Sequence, residues 1–100
     1  MIAEEREHFE REYGCTEREW RSWMPGAMGG HELLPEGAQA LRAVIGSGQL
    51  RLEWSVLPAR VIALVRVPRL QVSFAFDGVA LAERRKFLRR FDMHLQRGGG

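Results

Sequence analysis

Residues 49–76, QLRLEWSVLPARVIALVRVPRLQVSFAF, decide the fold of this chain. The two ends of the stretch alternate with a period of two. Leu50, Leu52, Trp54 and Val56 fall on one side of 49–57, with Arg51, Glu53 and Ser55 on the other. In 70–76, Leu70, Val72, Phe74 and Phe76 share one side. Successive side chains of a strand point to opposite faces, so both ends read as strands with one buried face. The middle, RVIALVRV over 60–67, is apolar on both sides. It is predicted to be a strand in mid-sheet with both faces covered. Pro58-Ala59 and Pro68-Arg69 mark corners on either side of it, where proline sits outside the ladder. Connections this short favour an antiparallel meander.

Working outward, AQALRAVI (38–45) reads as a further strand and GSG (46–48) as a hairpin turn. Downstream, Asp77-Gly78 is a turn and cap for a helix over about 79–95. At 100° per residue, Phe87, Ala80, Phe91, Leu95, Leu88 and Leu81 gather in an arc of roughly 120°, the core face. Upstream, Ile2, Arg6, Phe9 and Tyr13 form a helical stripe, supported by Glu7 four residues before Arg11, and predict a helix over 3–13 that ends at Gly14. Thr16-x-x-Glu19 is a capping box opening a second helix, which buries Trp20, Trp23 and Met24 and stops before Pro25. Residues 25–37, with four glycines and two prolines, read as a loop. The predicted class is α+β: two short N-terminal helices, a three- to four-stranded antiparallel meander, and a C-terminal helix packed on the sheet. Residues 1–97 form one domain and 98–100 a flexible glycine tail. The last helix covers one sheet face, and the N-terminal helices or a second subunit cover the other.

A chain of 100 residues with 45% hydrophobic and 28% charged side chains can build a single core. No apolar run reaches the ~20 residues of a membrane span, and MIAEEREHFERE lacks the basic start of a leader. One cysteine, Cys15, allows no internal disulfide. These features predict a cytoplasmic protein without a membrane partner. The net charge of +2 conceals an asymmetry. Residues 1–36 carry nine glutamates against four arginines, a net −5; residues 37–100 carry eleven basic against four acidic side chains, a net +7.

Residues 9–23, FEREYGCTEREWRSW, resemble the helix-turn-helix of DNA-binding proteins: apolar Phe9 and Tyr13, Gly14 in the turn, Trp20 and Trp23 on the second helix. The resemblance covers only this segment and departs from the pattern at Glu10, where a small residue is usual. It implies that the second helix enters the major groove, presenting Glu17, Arg18, Glu19, Arg21 and Ser22. Two glutamates at the leading end repel phosphates, so the segment is expected to be a structural αα-hairpin, its tryptophans in the core.

Chemistry-bearing constellations are sparse. His8, His31 and His94 share no metal-ligand spacing with Cys15. MGGHE (28–32) lacks the Lys-Ser/Thr of a phosphate loop and reads as a surface loop, while Glu4 and Glu5 lie on an exposed helix face. Cys15, beside a helix start but with no histidine near in sequence, reads as a structural thiol. The expectation is a non-enzyme without cofactor or metal. Arg85, Lys86, Arg89 and Arg90 form one stripe on the outer side of the last helix. Such a stripe is a solvated helix face or a contact for a polyanion or protein partner; it offers charge without base-reading geometry. Arg84 falls on the apolar arc, its stem covering the sheet with its head in water, or its guanidinium paired with Asp77, Glu53 or an N-terminal glutamate. The functional expectation is an interaction module that binds another protein or its own copy. A second reading is weak, sequence-independent nucleic-acid binding through the last helix.

Overall fold

In the computed structural model, which describes residues 6–98, the chain runs β1 (His8–Tyr13), α1 (Glu17–Ala27), β2 (Leu33–Gly37), β3 (Ala40–Ile45), β4 (Gly48–Ile62), β5 (Val65–Asp77) and α2 (Leu81–Gly98). All strands join one antiparallel sheet in the order β1-β5-β4-β3-β2. The class is α+β, as the sequence predicts, with five strands rather than three or four and one N-terminal helix rather than two.

The predicted helix over 3–13 is instead β1, paired along 8–13 with residues 70–75 of β5. Its residues 3–5 lie outside the described part. Two periods compete in this segment, and the tertiary environment chooses between them. With period two, Phe9, Arg11 and Tyr13 face the core while His8, Glu10 and Glu12 face away. Phe9 stacks on Phe74 at 4.8 Å between centroids, and Tyr13 meets Trp20 at 5.0 Å. Arg11 is paired with Asp92 of α2, at 2.6 Å from Nη1 to Oδ1, rather than with Glu7. The αα-hairpin, and with it the helix-turn-helix likeness, is therefore absent.

The capping box of α1 is formed: the Glu19 amide donates to Thr16 Oγ1 at 3.1 Å, and the Thr16 amide donates to Glu19 Oε1 at 2.9 Å. The helix does not stop before Pro25 but carries it on an exposed side and continues to Ala27. Burial of Met24, Ala27 and Met28 outweighs the backbone bond that proline removes. Residues 33–37, expected as loop, form β2 along the β3 edge, with an irregularity between Pro35 and Gly37.

Both helices lie on one sheet face. Trp20 of α1 meets Trp54 of β4 at 6.0 Å and Phe91 of α2 at 6.2 Å, and Phe91 meets Phe74 edge-on at 5.7 Å. Leu50, Leu52, Leu70, Val72, Phe74 and Phe76 complete this core, each at most 1% exposed. A side chain on Gly26 would overlap the His94 ring, so glycine allows α1 and α2 to approach. Arg11 spans the layers from β1, its guanidinium 5.3 Å from the Phe74 centroid. The opposite face carries His8, Glu10, Glu12, Arg51, Glu53, Ser55, Gln71 and Ser73. This face of the body is mostly polar, and the N-terminal helix expected to cover it lies with α2 on the other face.

Residues 60–67 depart furthest from the expected arrangement. This segment is not mid-sheet: it is the end of a hairpin that outruns its neighbours. β3 pairs with β4 only from Gly48 to Glu53, and β1 reaches β5 only from Leu70 to Ala75. Beyond them β4 and β5 continue alone as a two-stranded arm, pairing Arg60 with Val67, Val61 with Arg66 and Ile62 with Val65. Ala63-Leu64 makes the turn, with Ala63 at φ 55° where glycine is usual. The corner at Pro58-Ala59 is a bulge between Leu57 and Arg60; Pro68 faces it, and β5 runs on through without a corner. At about 3.3 Å per residue, the 15 residues of β4 are long enough to span the molecule's longest dimension, 47 Å.

Candidate functional site

The arm gathers most of the exposed apolar side chains of the described residues. Val56, Val61, Ile62 and Val65 are 57–61% exposed and Leu64 is fully exposed. Register places Ile62 and Val65 on the same face as Arg60, the polar side of the sheet, and Val61 and Arg66 on the helix side. Both faces of the ribbon and its apex are thus apolar, with one arginine below the apex on each face. From Trp54 to Phe76 the chain carries Arg60, Arg66 and Arg69 and no carboxylate.

The base of the arm is fastened by polar contacts. Arg69 donates through Nε and Nη2 to the two Glu12 carboxylate oxygens at 3.0 and 2.9 Å, and through Nη1 to the Pro58 carbonyl at 3.2 Å. Arg60 Nη2 stands 3.7 Å from the same carboxylate. The hydrogen bonds from Arg69 hold the Glu12 carboxyl below the usual carboxylate range. Thus one glutamate of β1 ties both arm strands, at the bulge, to the body.

Arg85, Lys86, Arg89 and Arg90 are exposed on the outer side of α2, the stripe that the sequence predicts. Lys86, Arg89 and Arg90 share a groove of about 390 Å³ with Gly26, Met93 and His94, between α2 and the end of α1. Among the described residues no carboxylate lies within ion-pair distance of these three cations. Arg90 rests against Gly29.

The remaining candidates are structural. Arg84 is buried rather than reaching water, and its Nη1 donates to the Val79 carbonyl at 2.6 Å. Cys15 is buried, and loss of solvation, with Glu19 nearby, pushes its thiol up to about 11; the thiolate that a nucleophile needs is suppressed. The His31 ring lies tilted against Phe87 at 5.5 Å between centroids, and its Nδ1 bonds to the Val44 carbonyl at 3.1 Å. Glu17 accepts from the Trp54 indole at 2.9 Å and from Arg21 at 3.1 Å, which fixes α1 to β4 and lowers the carboxyl's pKa. The polar sheet face holds an open groove of about 480 Å³ between Glu10, Glu36, Arg51 and Glu53. Among the described residues no three of His, Cys, Asp and Glu gather as a metal site, and no helix is long and apolar enough to cross a membrane.

The chain matches no protein-family model and no curated protein. The site rests on geometry alone, and the residues that dominate it, Val61, Ile62, Leu64, Val65 and Arg66, are ones that periodicity assigns to a buried strand. A signal for the turn is nevertheless present: Pro58 and Pro68 stand symmetrically about residue 63.

Proposed function

We propose that the chain is a non-enzymatic interaction module whose docking element is the β4–β5 arm. The observation that carries this reading is the contiguous apolar tip. Each large apolar side chain left in water forgoes about 1.5–3 kcal/mol of burial, and a folded monomer rarely exposes several together without a surface to meet. The body supplies the scaffold: a sheet with one face sealed by two helices, and a clamp at Glu12 that aims the arm. The proline at the bulge and the one opposite blunt both free edges of the ribbon, which favours docking through side chains over strand addition. The test compares wild type with an Ile62→Asp/Leu64→Asp variant, immobilised and presented separately to soluble proteins, nucleic acid and membranes. One class should be retained by the wild type and lost by the variant; a variant that retains everything the wild type does contradicts the reading.

The exposed cations Lys86, Arg89 and Arg90 of α2 favour a second reading, sequence-independent nucleic-acid binding. About three phosphate contacts give a log–log salt slope near −2.7. Lys86→Glu/Arg89→Glu, which spares the Arg90 packing on Gly29, then abolishes duplex binding. A duplex titration at low salt that shows no binding by the wild type removes this reading.

A further inference from the structure

We infer that the surface the arm docks on is the interfacial region of an anionic lipid membrane, entered by the apex from Val61 to Val65. The inference rests on the docking reading above and names its partner. Three features of the arm carry it.

The first is the distribution of apolar side chains around the ribbon. Val61 lies on one face, Ile62 and Val65 on the other, and Leu64 at the apex, all 57–100% exposed. A flat protein surface covers one face of a ribbon and leaves the other wet. A lipid interface surrounds an inserted tip on every side and takes up all of these groups together.

The second is charge. Arg60 and Arg66 sit just below the apex on opposite faces, and no carboxylate occurs between Trp54 and Phe76. A cationic collar beneath an apolar tip matches anionic headgroups above acyl chains, each arginine adding to the attraction. Glu12 engages Arg60 and Arg69, whereas Arg66 has no carboxylate within ion-pair distance among the described residues. Arg66 is therefore the cation offered most openly to a headgroup.

The third is depth. From the Arg60·Val67 pair to the turn is two residues, roughly 7 Å at about 3.3 Å each. That matches the ~5–10 Å by which interfacial elements enter the headgroup–acyl boundary. Deeper entry is opposed because both ribbon edges carry unpaired backbone groups that the hydrocarbon core cannot satisfy. That no helix among the described residues is long and apolar enough to cross a bilayer bears on crossing it, not on this shallow seating.

The test is flotation of the full chain with phosphatidylcholine vesicles, with and without phosphatidylglycerol, alongside sedimentation velocity without lipid. The wild type should float with the phosphatidylglycerol vesicles and not with phosphatidylcholine alone. Ile62→Asp/Leu64→Asp should weaken binding about 100-fold or more, from the lost burial of two large apolar side chains. Arg66→Glu, a change of two charges, should weaken it roughly 25-fold at low salt. In a Leu64→Trp chain, the added fluorescence should shift to the blue on anionic vesicles. No flotation of the wild type, equal flotation of the tip variant, or equal binding to neutral vesicles overturns the lipid assignment. If the wild type instead self-associates and the tip variant is monomeric, the partner is a second copy and the docking reading survives alone. If neither vesicles nor self-association depend on the tip, the lipid assignment falls, and the docking reading is decided by the soluble-protein and nucleic-acid comparisons above.

Discussion

β4 and β5 are each divided into two halves of similar composition and opposite fate. In the body half, Leu50, Leu52, Trp54, Leu70, Val72, Phe74 and Phe76 are at most 3% exposed. In the arm half, Val56, Val61, Ile62, Leu64 and Val65 are at least 57% exposed. Hydrophobicity does not separate them. Flanking structure does: the body half has β1 or β3 beside it and α1 and α2 above it, and the arm half has neither. Apolar character states what a side chain gains from burial, not whether the fold provides a place for it. Where the fold provides none, the side chain is available to a partner.

Breaking the body half should have the largest effect. Phe91 is fully buried between Trp20 and Phe74, so Phe91→Ala should cost about 3–5 kcal/mol in chemical denaturation, a large share of the stability of a domain this size. A loss below about 1 kcal/mol would mean that α2 does not seal the sheet as described.

A smaller effect is expected at the joint between the halves. Glu12 has a depressed pKa in the folded state, so its contribution is present above the ordinary carboxylate value of about 4.3 and is lost as pH falls through the folded value. Amide protection of residues 57–69, corrected for intrinsic exchange, should therefore fall on acidification below about pH 4. Glu12→Gln should show the reduced protection already at pH 7 and little further loss in acid. The core amides of 70–76 should be indifferent to both changes. Parallel loss in the two segments would show that the joint does not separate them.

The sequence reveals the body better than the arm for a physical reason. Alternation in 49–57 and 70–76, the Gly46-Ser47-Gly48 turn, the Thr16 cap and the face of α2 marked by Phe87, Leu88, Phe91 and Leu95 are local patterns whose meaning survives in the fold. Residues 8–13 were ambiguous because Phe9 and Tyr13 suit both a helical stripe and, with Arg11 between them, a strand. The open edge of β5 settled the matter, and no local pattern reports an edge. The turn at Ala63-Leu64 contains none of the residues that mark turns, so 60–67 reads as one continuous strand. Of the candidate site, the α2 stripe was legible as a run of cations at helical spacing. The arm was not, because its exposure depends on where β1 and β3 end.

The claim that the arm is held for docking and not for folding meets its most direct test in the unfolding free energy of Ile62→Asp/Leu64→Asp. Two charges placed in a core would cost several kcal/mol; placed on an arm already in water, they should change stability by no more than about 0.5 kcal/mol. Urea denaturation of the variant beside the wild type should give curves that agree within that margin. A loss of about 3 kcal/mol or more would contradict the account, because the tip would then be packed inside the folded protein.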